Sequence, residues 1–451
     1  MSGLLLAFAW DWAIDGWIVM IGALAAIASS LLGCFLVLRK MSMLGDAITH
    51  AVLPGIAVAF YVTESRSSLP MFLGAIMVGI LTTLLTEWIR GFGGVDEGAS
   101  MGVVFTSLFA LGLLIMRQTA HNVDLDPSCV LFGKIEFTPF DKIPIGQWQV
   151  PRAAAVLGVV VILNAGFVFL FFKELMLTSF DPALATSTGF SARWIQQGLM
   201  VLVSVTAVAC FESVGSILVV AMFVVPSASA YLLTDRLGWM IAIAVVLAAA
   251  SSLCGHLMAM ELPPLLGYPQ TTTAAMIAVA SGLFFATAFL FAPRHGVLVR
   301  WVRRRVLALS ILCDDVVAVL FRGEESGVSE SANESALAKR LLVSRWSLKV
   351  AVLVLGRRAE LDRVQSTSGT ALRLTESGRE RGKRLVRSHR LWEQYLVDQA
   401  GSGTERIHGK AERYEHFTDR TLREALANQT DRPELDPHGT PIPEEGTETD
   451  G

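Results

Sequence analysis

The stretch LRKMSMLGDAITHAVLPGIAVAF, residues 38–60, decides the fold because it places an acid and a histidine at the head of an apolar run. Asp46 and His50 are four residues apart, and such positions share one face of an α-helix. The pair either caps an ordinary helix at an interface, or it marks a path for a polar substrate through a membrane. Carboxylate plus imidazole suits Mn²⁺, Fe²⁺ or Zn²⁺.

Charged residues divide the chain of 451 residues into two parts. Residues 1–293 contain 27 Lys, Arg, Asp and Glu residues, whereas residues 294–451 contain 50. The first part is too apolar for an ordinary soluble domain, and the second has a normal soluble composition. We therefore predict a domain boundary near residue 293.

Apolar runs in the first part predict membrane-spanning helices. They cover residues 16–38, 49–63, 69–90, 100–117, 152–174, 197–214, 215–233, 238–260 and 270–293. Nine spans with the N-terminus outside would place the basic loop residues on one side, the cytoplasm. Loop 118–151 would then lie outside. An eight-span count would leave Arg39 and Lys40 outside, so nine spans are favoured.

Glu212 is a second acid within an apolar region. It is either a loop acid between the sixth and seventh runs or a further group on a substrate path. The chain has no GxxxxGK[ST] motif, so it has no phosphate-binding loop of this kind to hold ATP. We therefore predict no enzymatic activity and no catalytic residues in this chain, and energy must come from a partner.

Three segments resemble those of the ABC-3 family, the membrane permeases of manganese, iron and zinc ABC importers. They are residues 38–60, LTSFDPALATSTGF at 177–190, and ESVGSILVVAMFVVPSASAYLLT at 212–234. The resemblance implies two permease copies, identical or paralogous, two ATPase subunits and an extracytoplasmic metal-binding protein. It places Asp46 and His50 on the metal route and ATPase docking at Phe180, Asp181 and Pro182. The local sequence around Glu212 is more similar to that of manganese and iron members of the family than to that of zinc members.

The segment after the last apolar run reads as a basic amphipathic helix, 294–311, that lies on membrane lipid in the cytoplasm. Residues 312–375 then follow the pattern of a degenerate winged helix-turn-helix. Its candidate recognition helix, 344–358, is apolar in the middle and offers few side chains for reading bases. DNA is therefore a weakly supported partner.

Histidines and acids recur at helical spacing in the remaining part. His389 and Glu393 are at i and i+4. A second set on one helical face comprises His408, Glu412, Glu415 and His416. This face is either a solvated charged stripe or a metal site, and imidazole with carboxylate again fits Mn²⁺ or Fe²⁺, with Zn²⁺ possible.

Residues 312–443 resemble the iron- and manganese-dependent repressors, through LTESGRERGKRLVRSHRLWEQYLV, IHGKAERYEHF and LDPHGTPIP. The resemblance implies a metal-binding and dimerisation domain over 376–443. One site would comprise His389, Glu393 and His408, and the other Glu412, Glu415 and His416 with Asp315. The family's further acid, one turn after Asp315, is Ala318 here. The final residues, 444–451, are predicted to be a disordered acidic tail.

The combined prediction is an all-α fold, with a polytopic membrane bundle over 1–293 and a small cytoplasmic winged-helix and helical metal-binding part. Its function would be import of Mn²⁺ or Fe²⁺, with a fused metal sensor. One alternative is a membrane-tethered, metal-dependent transcription regulator. Another is a zinc importer whose tail is purely structural.

Overall fold

A computed structural model of the protein divides into two compact units, residues 1–300 and 301–451. The predicted boundary at residue 293 lies close to this division. The structure describes the following residues: 10–41, 44–51, 53–63, 68–119, 135–145, 147–189, 191–265, 267, 271–327, 333–366, 369–399 and 407–444.

Helices dominate the first unit. They are α1 Asp15–Leu38, α2 Leu44–Ala51, α3 Leu53–Thr63, α4 Ser68–Gly93, α5 Glu97–Thr119, α6 Arg152–Leu170, α7 Phe172–Phe180, α8 Pro182–Ser187, α9 Ala192–Val214, α10 Ser216–Leu233, α11 Leu237–Leu265 and α12 Thr273–Phe291. Between α5 and α6 lie a 3-10 helix, Ile135–Phe140, and an antiparallel hairpin of β1 Lys142–Ile145 and β2 Trp148–Pro151.

Eight of these helices, within the described part of the chain, are long and apolar enough to cross a membrane. They are α1, α4, α5, α6, α9, α10, α11 and α12. They correspond to eight of the predicted runs. The other run, 49–63, is covered by the shorter helices α2 and α3, so the count of nine stays a prediction. Run 152–174 is shorter than predicted, because α6 ends at Leu170 and α7 starts at Phe172.

Small residues and satisfied polar groups allow the helices around α1 to pack closely. A Cβ on Gly33 would lie 2.0 Å from the backbone oxygen of Phe223, so only glycine permits this approach of α1 to α10. The buried Asn164 amide donates to the Ala28 carbonyl at 3.1 Å and to Thr206 Oγ1 at 2.8 Å. The nitrogen of this buried side-chain amide is thus paired inside the protein, as a membrane environment favours.

The second unit consists of helices and one hairpin. Its elements are α13 Val297–Glu325, α14 Glu334–Arg340, α15 Arg345–Arg357, β3 Leu361–Ser366, β4 Gly369–Leu374, α16 Glu376–Asp398, α17 His408–Glu415 and α18 Arg420–Gln429. The hairpin is antiparallel, from Leu361 opposite Leu374 to Ser366 opposite Gly369. The winged helix-turn-helix predicted over 312–375 stays a prediction, and this segment holds α14, α15 and the β3–β4 hairpin.

The predicted linker helix, 294–311, has no break at its end, because α13 runs continuously from Val297 to Glu325. Its first turns expose Trp301 and Val306, and the Arg305 guanidinium lies 5.4 Å from the Trp301 ring centroid. Its later turns bury Val316, Val317 and other apolar residues in a core shared with α14, α15 and the hairpin. Aromatic, aliphatic and basic side chains together suit a membrane surface, which stays a prediction for this segment.

Candidate metal centres

Two helices supply most of the candidate ligands in the second unit. Helix α16 starts at an N-cap, Thr375, whose hydroxyl accepts a hydrogen bond from the Gly378 amide at 3.2 Å. Its buried face carries His389 and Glu393 one turn apart. Helix α17 begins at His408 and ends at Glu415, with His416 as its C-cap. The two helices pack against each other, so their ligand types meet.

The first ligand group is His389, Glu393 and His408, whose candidate ligand atoms all lie within 4.8 Å of one another. His389 Nε2 is 2.9 Å from Glu393 Oε1, and His408 Nδ1 approaches the same oxygen closely. Glu393 is 1% exposed, whereas the His408 side chain is 62% exposed. The group is therefore anchored in the interior and open on one side.

The second ligand group is Asp315, Glu415 and His416, again with ligand atoms within 4.8 Å of one another. His416 Nε2 is 3.4 Å from Asp315 Oδ1 and 3.9 Å from Glu415 Oε1. Asp315 belongs to α13, far away in sequence, so the fold brings it to α17. The first described group thus has two imidazoles and one carboxylate, the second has one imidazole and two carboxylates, and neither contains a thiolate.

Glu415 connects the two groups. Its Oε2 accepts a hydrogen bond from His389 Nδ1 at 2.5 Å, and its Oε1 faces His416 in the second group. One buried carboxylate therefore orients a histidine of the first ligand group while belonging to the second.

The surrounding charges favour protonated histidines when no metal is bound. Burial by itself lowers the pKa of His416, but the nearby carboxylates of Asp314 and Asp315 outweigh it and raise the pKa to about 10. Burial likewise opposes protonation of His389, yet Glu393 and Glu415 raise its pKa. Burial would raise the pKa of Glu393, but the adjacent imidazoles lower it. A metal ion must therefore displace protons from these imidazoles.

One contact in the first ligand group suits a cation. Glu393 Oε1 is buried without a hydrogen bond although two imidazole nitrogens lie close to it. A bound ion is one way to satisfy such a buried oxygen. The donor set of nitrogen and oxygen is suited to Mn²⁺, Fe²⁺ or Zn²⁺.

Three neighbouring residues were missed by the sequence analysis. Asp314 approaches His416 Nδ1 at 3.4 Å, but Arg381 holds its carboxylate with a 2.6 Å contact. The His438 ring stacks on the His408 ring with centroids 4.7 Å apart. Arg322 lies 3.8 Å from Glu415 Oε2. The acid pair DD at 314–315 and the histidine in LDPHGTPIP were the available signals.

Glu412, predicted as a ligand in the second group, is exposed on α17 and belongs to neither ligand group. The other predicted ligands in this unit are brought together as the sequence analysis expected. Glu412 occupies the helix position one turn before His416, so a rotation of its side chain could bring the carboxylate closer. Its role as a ligand stays a prediction.

The predicted metal-route residues lie on α2. This helix carries Asp46 and His50 and packs against α4, α5, α9 and α10, although the side chains of the pair lie outside the described residues. Glu212 lies in the last turn of α9, at a cavity of about 220 Å³ that Arg152 also lines. Its Oε1 is 3.9 Å from Arg152, and it joins neither ligand group found in the described residues.

The predicted ATPase-docking residues form an exposed corner. Phe180 ends α7 with 65% of its side chain exposed, and Asp181 caps α8 by accepting hydrogen bonds from the Ala183 and Leu184 amides. Pro182 occupies the first turn of α8, where it needs no hydrogen-bond partner. Arg39, at the end of α1, donates to Ser179 Oγ at 3.1 Å. This bond ties the corner to the turn that leads into α2.

Comparison with known families supports both halves of this description. The family model described as ABC 3 transport family matches residues 15–292. The model described as iron dependent repressor, metal binding and dimerisation domain matches residues 375–444. The second match covers both α16 and α17.

Individual relatives match the first unit. The manganese transport system membrane protein MntD of Bacillus subtilis is 39% identical over 290 residues, which are 64% of this chain and 96% of MntD. The zinc transport system membrane protein TroD of Treponema pallidum is 35% identical over 302 residues, 67% of this chain and 80% of TroD. PsaBC from Streptococcus pneumoniae, solved in complex with Fab, superposes with a TM-score of 0.51 at 29% identity, covering 64% of this chain and 95% of that chain.

Proposed function

This chain belongs to the ABC 3 transport family, and we propose that it is the permease subunit of an importer for Mn²⁺ or Fe²⁺, with Zn²⁺ as the alternative cargo. A separate subunit hydrolyses ATP, an extracytoplasmic protein delivers the metal, and a second permease copy or a paralogue completes the pore. The observation that carries the proposal is a pair of histidine and carboxylate groups in the second unit of a chain whose first unit matches the ABC 3 transport family.

Asp46 and His50 are the proposed cargo ligands on the route. Their spacing puts a carboxylate and an imidazole on one face of α2, a helix enclosed by four others. Asp46→Ala and His50→Ala should abolish uptake of radiolabelled metal without preventing membrane insertion. Thr49→Ala, on the same helix, is the matched control and should retain uptake. Normal uptake by both acid and histidine variants would refute this assignment.

The corner at Phe180, Asp181 and Pro182 is the proposed docking point for the ATPase. The exposed Phe180 side chain lies next to a short capped helix, and it can be buried in an apolar cleft of a partner subunit. Movement at this corner reaches the α1–α2 turn through the Arg39 hydrogen bond. Hydrolysis on the partner can thus act on the helix that holds the cargo.

The second unit is the proposed cytoplasmic metal sensor. His389, Glu393 and His408 would hold one ion, and Asp315, Glu415 and His416 another, with Glu412 as a further candidate. Metal bound there would replace protons on the imidazoles and tie α13 to α17 through the second ligand group. A sensor on the permease itself reads the metal concentration where cargo is released.

Product inhibition is the proposed use of this sensor. Metal binding can bias transport only through its different affinity for the active and closed states. A coupling of about 1–3 kcal/mol would change the transport rate on the order of 5- to 150-fold. Pairing of two permeases also brings two second units together at high effective concentration.

The experiment is uptake into proteoliposomes that contain the full chain, its ATPase partner and a defined internal metal concentration. Internal metal should slow uptake by wild type. The triple variant His408→Ala, Glu412→Ala, His416→Ala and a deletion of residues 310–451 should both escape this slowing. If internal metal leaves wild-type uptake unchanged, gating is refuted, and tethered regulation or a structural tail becomes the better interpretation.

A further inference from the structure

An exposed apolar surface on α15 and the turn before it contains none of the candidate metal ligands. It is formed by Leu342, in the turn after α14, and by Trp346 and Leu353 on α15. These side chains are 93%, 78% and 52% exposed, respectively. Several large apolar side chains exposed close together in one segment are typical of a surface that something else covers. We name this surface the Trp346 face.

The local backbone projects this face outward. Leu342 adopts a left-handed backbone with φ of 54°, which is unfavourable for a branched side chain. Ser344 then caps α15 by accepting a hydrogen bond from the Ser347 amide at 3.1 Å. The opposite side of α15 buries Leu348, Val352 and Leu355 in the core. The core therefore fixes the rotation of α15 and leaves Trp346 pointing away.

Basic residues surround the Trp346 face. Lys339, Arg340, Arg345 and Lys349 are all exposed around Leu342 and Trp346. Residues 335–359 contain six Lys and Arg residues and no Asp or Glu. This combination of a protruding tryptophan, aliphatic side chains and clustered cations is complementary to anionic lipid headgroups above an apolar layer.

We propose that the Trp346 face docks on the anionic lipid surface of the membrane in which the first unit is embedded. Covalent attachment to a membrane permease keeps the face close to headgroups, so a modest affinity is sufficient. DNA is a poorer fit, because the face is centred on the apolar Leu342, Trp346 and Leu353, which make no hydrogen bonds to base acceptors in a duplex groove at this spacing. The exposed positions of α15 hold Arg, Trp, Ser, Lys, Leu and Gly, without Asn or Gln. The inference does not depend on which metal is transported or on whether the tail gates transport.

The test uses the full chain in lipid nanodiscs with an environment-sensitive fluorophore at Leu342→Cys. A matched control carries the same label at Glu424→Cys, on an exposed part of α18. Wild type treated with the same fluorophore measures background labelling of the native cysteines. Nanodiscs contain either phosphatidylcholine alone or an equal mixture with phosphatidylglycerol, each with a lipid-borne quencher. We expect quenching at position 342 in the mixed nanodiscs only, with no quenching at position 424.

Charge variants make the test specific. Each replacement of Lys339, Arg340, Arg345 or Lys349 by Gln should lower the ratio of docked to free molecules about fivefold, and added salt should do the same progressively. Trp346→Ser should reduce quenching without changing its salt dependence. All these positions are on the surface, so unchanged thermal unfolding will confirm that the variants fold.

Three results would overturn the proposal. One is a label at position 342 that stays unquenched in both lipid compositions. Another is protection of the label by duplex DNA but not by phosphatidylglycerol, which would make the face a nucleic-acid surface. The third is shielding of the label without quenching by lipid, which would indicate contact with protein, including a second copy of this chain.

Discussion

The first and second ligand groups use the same residue types but differ in access to water. His408 of the first group has a side chain that is 62% exposed, whereas His416 of the second is 6% exposed. Under the proposed function, the more exposed group would exchange metal more readily, and the more enclosed group would hold helices together once it is filled. Ligands of similar type can therefore suit either exchange of metal or tight holding of metal, depending on how far the surrounding helices enclose them.

The largest expected effect follows from the residue that the two groups share. Glu415→Ala should weaken metal binding at both groups, because removing one partner of a buried charged cluster costs about 3–5 kcal/mol, or more than about 100-fold in affinity. Metal stoichiometry after dialysis should fall from two ions per chain to none. Glu424→Ala, an exposed acid on α18, is the control. Retention of one ion with unchanged affinity would show that the groups are independent.

The next effect concerns pH in the absence of metal. His416 has a folded-state pKa of about 10, above its value of 6.5 in the unfolded chain. Protonated His416 therefore stabilises the metal-free second unit fully below about pH 6.5, and this stability is lost as pH rises to 10. Protection of residues 407–444 from hydrogen exchange, relative to His416→Gln at the same pH, should fall about tenfold per unit above pH 7.

The pH dependence of this ratio shows whether His416 is held charged by nearby carboxylates or is an ordinary solvated imidazole. If the ratio of wild type to His416→Gln is constant with pH, the imidazole is not charged by its surroundings. Saturating Mn²⁺ should remove the dependence in wild type, because a metal-bound imidazole carries no exchangeable ligand proton.

A smaller effect is expected at Glu412, which the sequence predicts as a ligand and the fold leaves exposed. Glu412→Ala should lower the affinity of the second group about tenfold while two ions still bind, since the carboxylate would join only after a rotation. Titration with Mn²⁺ monitored by calorimetry measures this. Complete loss of the second ion would place Glu412 among its essential ligands, and an unchanged titration would remove it from the site.

The smallest effect is expected at Arg322, whose guanidinium lies 3.8 Å from Glu415 Oε2. A partly exposed cation at this distance opposes a bound metal by about 1 kcal/mol or less. Arg322→Gln should therefore tighten Mn²⁺ binding by up to about fivefold, measured in the same titration. Weaker binding would mean that Arg322 matters mainly by holding Glu415 in place.

Much of the fold followed from local sequence. Long apolar runs predicted the helices of the first unit, since a chain in lipid must satisfy its backbone within each segment. The helical spacing of His389 and Glu393 placed them on one face of α16, as found. The positions at which helices end were less predictable from the sequence. Whether the helix that starts at Arg152 continues past Leu170 depends on its packing with neighbouring helices.

The sequence by itself determined the two-part organisation, the helical faces and the types of ligand, because composition and periodicity are properties of neighbouring residues. Tertiary structure decided which faces meet. The tertiary fold brings Asp315 of α13 close to His416. It also pairs Asp314 with Arg381 and leaves Glu412 exposed to solvent. The physical reason is that a metal group needs side chains within a few ångströms of one point, and residues a hundred positions apart reach it only through long-range packing.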